Sequence, residues 1–309
     1  MQYKEHIISK TVFGIREFLK KIKEHKKRIH KIWRQRKEYF HREYFEKRKE
    51  KKDPTINNVD NMDYTQNCNG DSEYEDANLK LAVYTCVFGN YDRIKNPLFM
   101  SDYCDYYIVT DQELPEMCKW KKLVPYNTPE GFEEWHPAMK NRYYKMHPHE
   151  LFPEYEFSLY IDGNVRPMAD VYPFVIKMQK ENKVIAIHKH PIFSCLYDSG
   201  EHLKKIDLVD SNLMEKQLSK YLEEGFPKKY GFFECNVILR KHNEHIVKEI
   251  MNTWWNEYCY GVKRDQQSFT YSLWKNGCVS ADVCSLGNDV RSNVRFSLSV
   301  HNKHHEKVI

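Results

Sequence analysis

The chain has 309 residues, of which 30% are charged, and its mean hydropathy is −0.79, which excludes a polytopic membrane protein. No segment approaches the roughly 18 consecutive apolar residues that a membrane-spanning helix needs, and we expect no secretory signal because no apolar run follows the first lysines. The nine cysteines form no Cys-x-x-Cys pair, which favours reduced thiols in a cytoplasmic protein over disulfides or structural zinc.

The positive charge is concentrated at the N-terminus. Residues 1–52 contain 19 Lys and Arg against 7 Glu and no Asp, a charge of +12. The whole chain carries +5, so the remainder carries −7. Because the basic segment is separate from the apolar part of the chain, we expect no nucleic-acid partner for the protein as a whole.

Residues 1–52 are predicted to form a basic amphipathic helical arm. Between residues 5 and 50, apolar side chains recur mainly in steps of four and three, as in a helix with one apolar stripe: Ile8, Val12, Ile15, Leu19, Ile22, Ile29, Trp33 and Phe40. Three interpretations stay open: a solvated or self-associating helix, a helix on the cytoplasmic face of an anionic membrane, and nucleic-acid binding. Residues 53–78, rich in Asn, Asp and Glu, are predicted to be a disordered linker.

The predicted folded domain covers residues 79–305. Apolar strands alternate there with helical stretches, a pattern typical of an α/β domain with a mainly parallel sheet between helices. Strands are predicted at 81–88, 106–110, 159–161, 183–188 and 231–240. Helices are predicted at 134–151, 171–181, 200–224, 245–258 and 267–274.

The strand at 159–161 runs directly into Asp162, Gly163 and Asn164. These residues lie at the carboxyl end of the strand, where open α/β sheets bind their ligands. Alternate residues of an extended chain point to one side, so Asp162 and Asn164 can face one point, while Gly163 lets a ligand approach the backbone. Two oxygen ligands suit a divalent metal that holds a phosphate. The same three residues are also common in ordinary turns.

The order of four short motifs resembles a known family. The motifs are Tyr160-Ile161-Asp162-Gly163-Asn164-Val165, Glu234-Cys235-Asn236-Val237, Trp254-Trp255 and Arg264-Asp265-Gln266-Gln267-Ser268-Phe269. They are similar to the glycosyltransferase-like family catalogued as domain of unknown function 616, which includes plant cell-wall-related and bacterial surface-polysaccharide proteins. The likeness covers about residues 80–305 and no part of the arm. More distantly, the chain resembles glycosyltransferase family 8 and GT-A glycosyltransferases.

This resemblance implies a GT-A-like domain that transfers a sugar from a nucleotide sugar, above all a UDP-sugar, to a surface polysaccharide or a lipid-linked glycan. It also implies a Mn²⁺ or Mg²⁺ cofactor. Asp162 and Asn164 fall on the Asp-x-Asp metal motif, with Asn in place of the second Asp. A C-terminal histidine would complete the metal site, and the candidates are His301, His304 and His305. Asn236 falls on the acceptor side.

Three further residues are candidates for the chemical step. Asp265 and Gln266 are expected across the sugar from the diphosphate, where an inverting enzyme uses a carboxylate as base and a retaining enzyme stabilises the anomeric centre. The position of Asp265 also suits a helix N-cap. Glu234 is the other candidate carboxylate, with a buried, hydrogen-bonded Glu as the alternative.

The ends of the first two strands are expected to hold the nucleoside, and basic residues on the helix before Asp162 the diphosphate. The candidate donor-binding residues are Tyr84, Thr85, Phe88, Gly89, Asp111, Lys140, Arg142, Asp162 and Gly163. For the strand-end residues the alternative is an ordinary core position, and for Lys140 it is a solvated helix face.

His188 and His190 flank the end of a later strand and are candidate acceptor-binding residues, with a structural role as the alternative. Together with Asp162 they would make a zinc site. A zinc-dependent hydrolase is therefore one rival function. The other rival is a non-catalytic, membrane-associated scaffold whose arm does the binding.

Overall fold

A computed structural model describes residues 80–299 and residue 301. The predicted arm and linker, residues 1–52 and 53–78, lie outside this part. The strands are β1 (Leu81–Val87), β2 (Cys104–Thr110), β3 (Lys121–Lys122), β4 (Phe157–Ile161), β5 (Val165–Pro167), β6 (Ile185–Lys189), β7 (Phe233–Arg240), β8 (Cys284–Ser285) and β9 (Phe296–Leu298). The α-helices are α1 (Pro137–Met146), α2 (Pro148–Leu151), α3 (Pro173–Lys180), α4 (Leu196–Lys205), α5 (Ser211–Glu223), α6 (His245–Tyr260) and α7 (Gln266–Lys275).

Seven strands form one mixed sheet in the order β3-β2-β1-β4-β7-β6-β8. Only β7 runs antiparallel to its neighbours, β4 and β6, and the other pairings in this sheet are parallel. This confirms the predicted α/β class with a mainly parallel sheet. Because β7 is reversed, its first residues lie at the same edge as the last residues of β1, β4 and β6.

The core lies on both faces of the sheet. Along β1, Leu81, Val83 and Val87 pack on one face with helix α3, since alternate residues of a strand point to opposite sides. Ala82, Tyr84 and Cys86 pack on the other face with the aromatic side chains of α1. Helices α6 and α7 cover the neighbouring strands β6 and β7 through an apolar layer that includes Trp254 and Phe269.

Two predicted helices are each divided in the structure. The stretch 200–224 contains two helices, because the chain turns at Asp207, whose φ is +55°, and restarts where the side chain of Asp210 accepts the Leu213 N–H. In the stretch 134–151, Pro148 starts a new short helix. The short strands β3, β5, β8 and β9 were not predicted. The pairing of β5 with β9 brings the last described residues next to Asn164. No helix of the described chain is long and apolar enough to cross a membrane.

Candidate functional site

The edge of the sheet where β4 ends carries the predicted Asp-Gly-Asn segment. The N–H of Asp162 donates to the carbonyl of Asn236 at 2.8 Å, so these two predicted residues lie side by side on β4 and β7. The Tyr160 hydroxyl donates to Oδ1 of Asp162 at 2.8 Å and fixes that carboxylate. The amide oxygen of Asn236 is buried and has no hydrogen-bond partner in the described chain.

A buried lysine joins the two predicted motifs. The Nζ of Lys145 lies 2.6 Å from Oδ2 of Asp265 and 3.6 Å from Oδ1 of Asp162. Lys145 is 1% exposed, and its ammonium lies over the rings of Tyr160 and Trp254. Both predicted carboxylates therefore belong to one site.

The backbone of Lys145 is held as firmly as its side chain. Its carbonyl accepts hydrogen bonds from the buried guanidinium of Arg240 at 2.6 Å and from the Tyr84 hydroxyl at 3.3 Å. Arg240 also donates to that hydroxyl at 2.7 Å. These contacts fix the last turn of α1 against the sheet, so the position of the ammonium follows from the fold.

Asp265 is a helix cap and a partner in an ion pair at once. Its side chain accepts the Gln266 N–H at the start of α7, as a cap residue does. Arg142 Nε lies 2.9 Å from Oδ2, the oxygen that Lys145 also contacts. Burial alone would raise the pKa of Asp265, but the charges of Arg142 and Lys145 outweigh it and hold the pKa well below its usual range.

A second chain of contacts links Asn164 to the end of the described chain. The Asn164 amide donates to the Ser299 carbonyl at 3.0 Å, and its nitrogen lies 3.1 Å from Nε2 of His301. The other ring nitrogen of His301 lies 2.8 Å from Oδ2 of Asp92. A Cβ on Gly163 would lie 2.9 Å from Cγ2 of Val87 and 3.4 Å from Asp92 Oδ2, so only glycine fits there without displacing a neighbour.

The predicted metal ligands meet in part. Asn164 Oδ1 is buried without a hydrogen-bond partner in the described chain, and His301 is oriented by a carboxylate, as metal-binding histidines commonly are. These two groups fit a cation. However, residues 80–299 and 301 contain no group of three or more His, Cys, Asp or Glu side chains arranged to hold a metal ion. His304 lies outside the described residues.

Part of the predicted nucleoside site proves to be core. Tyr84 is fully buried beneath Lys145, and Phe88 packs against Phe132 and Tyr144, so neither offers a ring to a base. Thr85 is also buried. This part of the donor-site prediction is wrong, because alternation along β1 directs Tyr84 and Phe88 under α1 and Thr85 towards the opposite face of the sheet.

The other donor-site candidates lie near the surface. Asp111 accepts the backbone N–H of Gly89 at 2.9 and 3.1 Å and so joins the ends of β1 and β2, while its contact with the base or ribose stays a prediction. Lys140 donates to the carbonyl and the carboxylate of Glu133, and its contact with the diphosphate stays a prediction. Arg142, besides its contact with Asp265, donates to Asn141.

The structure does not bring His188, His190 and Asp162 together as a zinc site. His188 is fully buried against Phe296, and burial lowers its pKa to about 4, so the predicted acceptor contact of His188 is wrong. The Nδ1 of His190 accepts the backbone N–H groups of Ile192 and Phe193.

Glu234 is buried and hydrogen-bonded, which agrees with the alternative to a catalytic role. Its carboxylate accepts the Val290 N–H at 3.0 Å and pairs with Arg291 at 2.8 Å. Burial raises the pKa of Glu234, while the Val290 N–H and Arg291 oppose that shift. A catalytic role for Glu234 stays a prediction.

Sequence reasoning missed Lys145, Tyr91, Asp92 and Arg264 as site residues. Lys145, Tyr91 and Asp92 belong to none of the four motifs. Arg264 was part of the motif that carried the resemblance, without a role. One signal was available: Arg142 and Lys145 are three apart on α1, so they share a helix face.

Comparison with known proteins decides the family. The model of the TOD1/MUCI70 glycosyltransferase-like domain matches residues 25–304. The chain belongs to that family. The match starts within residues 1–52, so the prediction that no part of the arm shares the likeness is wrong. The broader prediction of a glycosyltransferase-like family is confirmed, while the names given to it from sequence stay predictions.

One curated relative of this chain is the probable hexosyltransferase MUCI70 of Arabidopsis thaliana. The two are 26% identical over 217 residues, which is 62% of this chain and 36% of the relative. The chain thus spans about a third of the length of that relative.

Three solved structures similar to the chain are glycosyltransferases. Mouse xyloside xylosyltransferase 1 in its apo form has a TM-score of 0.39 at 10% identity and covers 67% of this chain and 85% of that one. The mannosyltransferase Ktr4p of S. cerevisiae has a TM-score of 0.38 at 11% identity and covers 75% and 76%. The galactosyltransferase LgtC in complex with donor and acceptor sugar analogs has a TM-score of 0.36 at 11% identity and covers 66% and 72%.

Proposed function

We propose that this chain is a glycosyltransferase that moves a sugar from a nucleotide sugar, most simply a UDP-sugar, to a glycan acceptor. The acceptor we propose is a surface polysaccharide or its lipid-linked precursor. The family supports the transferase class. Among the structural observations, the convergence of Asp162 and Asp265 on Lys145 carries the proposal, because it assembles both predicted motifs into one charged site.

The charge distribution suits departure of a diphosphate. Sugar transfer leaves a diphosphate with additional negative charge, which a transferase stabilises in the transition state. Arg142 and Lys145 provide two cations at the site, both held by Asp265. A contact of the phosphates with the backbone of Gly163 stays a prediction.

The electrostatics of Asp265 favour one of its two predicted roles. A carboxylate with a strongly lowered pKa is a weak proton acceptor, so Asp265 is poorly suited to remove the acceptor proton. It keeps its negative charge throughout the reaction and so suits stabilisation of positive charge at the anomeric carbon. Gln266, half-buried next to it, is proposed to contact the sugar.

A divalent cation, Mn²⁺ or Mg²⁺, is proposed at the sheet edge with Asp162, Asn164 and His301 as ligands, and His304 as the further candidate. When bound, it would neutralise diphosphate charge as a Lewis acid. The unpartnered Oδ1 of Asn164 and the orientation of His301 by Asp92 support this placement. Location on the cytoplasmic face of a membrane, through residues 1–52, stays a prediction.

The first experiment is a thermal-shift screen of nucleotide sugars with Mn²⁺ or Mg²⁺ on the full chain. A bound donor stabilises the folded state by mass action, by about 2.7 kcal/mol at a hundred times the dissociation constant. A donor that raises the melting temperature is then mixed with glycan acceptors, and nucleoside diphosphate release is measured. Absence of any stabilising donor across the screen would contradict the proposal.

A further inference from the structure

Arg264 directly precedes Asp265 in the sequence and is a third cation of the candidate site. Arg142 and Lys145 both contact Asp265, at 2.9 and 2.6 Å. Among residues 80–299 and 301, by contrast, no Asp or Glu oxygen lies within 4.0 Å of the Arg264 guanidinium, and its side chain makes no hydrogen bond there. A guanidinium stays protonated in proteins, so Arg264 carries a full charge.

The surroundings of Arg264 make that unpaired charge costly. The side chain is half-buried in front of α7, and burial lowers the pKa of Arg264. Asp265 opposes this shift, and the like charge of Arg142 adds to it. A bound polyanion would offset the repulsion between the charges of Arg142 and Arg264.

Tyr91 adds a neutral donor to the same place. Its hydroxyl feels the charges of Arg264, Arg142 and Asp162, and its ring lies 5.1 Å from that of His301. A tyrosine hydroxyl is neutral at neutral pH and can donate one hydrogen bond. Tyr91, in the turn after β1, and Arg264, directly before α7, are thus close enough for each to influence the pKa of the other.

We propose that Arg264 is the main binding residue for the donor's diphosphate, and that Arg142 mainly holds Asp265 in place. This rests on the proposed function for the identity of the anion, a nucleoside diphosphate. It changes the assignment drawn from the resemblance, in which Arg142 contacts the diphosphate. Arginine fits phosphate because its donors form a planar fork that binds two oxygens at once.

The test measures binding and needs no turnover. Isothermal titration of the full chain with UDP, GDP and inorganic pyrophosphate is compared for the wild type, Arg264→Gln and Arg264→Lys. The matched control is Lys241→Gln, which removes a half-buried cation at the opposite edge of the sheet, paired with Glu156 at 3.4 Å. We expect Arg264→Gln to weaken diphosphate binding by about tenfold or more, and the control by less than about twofold.

Melting temperatures show whether each variant is folded. If Arg264→Gln does not fold, Arg264→Lys decides the question, because it keeps the positive charge and loses the planar set of guanidinium donors. We expect Arg264→Lys to weaken diphosphate binding by about fivefold. If the folded Arg264 variants bind diphosphate as tightly as the wild type, Arg264 is not the main diphosphate-binding residue. That result would not contradict the transferase proposal. A wild type that binds no diphosphate also overturns it. Binding through Arg264 without sugar transfer retains the anion site and contradicts the transferase.

Discussion

The carboxylates of Asp162 and Asp265 lie against the same ammonium group, at 3.6 and 2.6 Å from the Nζ of Lys145. One carboxylate ends a central strand and the other starts a helix far along the chain. Their meeting is what a sugar-transfer site requires of the two motifs. It also makes Lys145, a residue with no motif of its own, the centre of the site.

Replacing Lys145 and replacing Asp265 should have strongly coupled effects on the free energy of unfolding. We expect Lys145→Met to lower the free energy of unfolding by about 3 kcal/mol, because it leaves Asp265 buried with one cation fewer. In the double variant Lys145→Met, Asp265→Asn, the loss in free energy of unfolding should be smaller than the sum of the two single losses by at least about 1 kcal/mol. Urea unfolding of the four proteins measures the coupling.

An exposed ion pair provides the control for that cycle. Lys121 and Asp105 are as close, at 2.7 Å, but their side chains are 64% and 39% exposed. The cycle with Lys121→Met and Asp105→Asn should give a coupling below about 1 kcal/mol. Equal coupling for the buried and the exposed pair would contradict the account of Lys145.

Replacing Gly163 tests the packing of the sheet edge. In Gly163→Ala the new methyl group would lie 2.9 Å from the Val87 side chain, so a neighbour has to move. We expect a loss of about 1–3 kcal/mol in stability from overpacking. Since Asp92 Oδ2 is the next atom in the way, at 3.4 Å, the contact of Asp92 with His301 should be disturbed as well. Unfolding curves and a crystal structure of the variant would show both effects, and wild-type stability would argue against them.

Three buried histidines predict a loss of stability in weak acid. Burial lowers the pKa of His147, His188 and His242 to about 4, whereas the unfolded chain has the usual value of 6.5. Between these values the unfolded state binds more protons, so stability is lost as the pH falls from 6.5 towards 4. The expected slope is about 1.4 kcal/mol per pH unit for each histidine.

Urea midpoints at pH 7, 6 and 5 measure this slope. The lowered pKa of Asp265 makes stability depend on pH only in a lower range, below the unfolded value of 3.8, and so does not affect the slope between pH 7 and pH 5. His242→Gln keeps a donor for the Phe152 carbonyl and should reduce the slope. A stability that stays constant from pH 7 to pH 5 would count against neutral buried histidines.

The parts of the site that could be predicted from sequence are those in which local pattern and chemistry coincide. An apolar run that stops at Asp162 identifies a strand end, and Asp265 before a helical stretch identifies a cap. Tyr84 shows the limit of that reasoning: alternation along β1 identifies two faces, but not which of them α1 covers. His188 was misplaced for a related reason, because the reversed direction of β7 and the segment around Asn293 and Phe296 enclose it.

The missed residues depend on contacts between distant parts of the chain. Lys145 becomes a site residue only because Arg240 and Tyr84 fix its backbone against the sheet. Asp92 joins the site through His301, which arrives by the pairing of β5 with β9. A single sequence contains no local pattern for such pairings.

The most direct test of the central claim is nucleoside diphosphate release from a stabilising nucleotide sugar and acceptor, compared between the wild type and Asp162→Ala. Asp102→Ala, which removes an exposed carboxylate between β1 and β2, is the control. We predict that the wild type and the control release nucleoside diphosphate together with a glycosylated acceptor. Asp162→Ala should melt at a similar temperature and release none. Equal release from folded Asp162→Ala would contradict a site for sugar transfer at the end of β4.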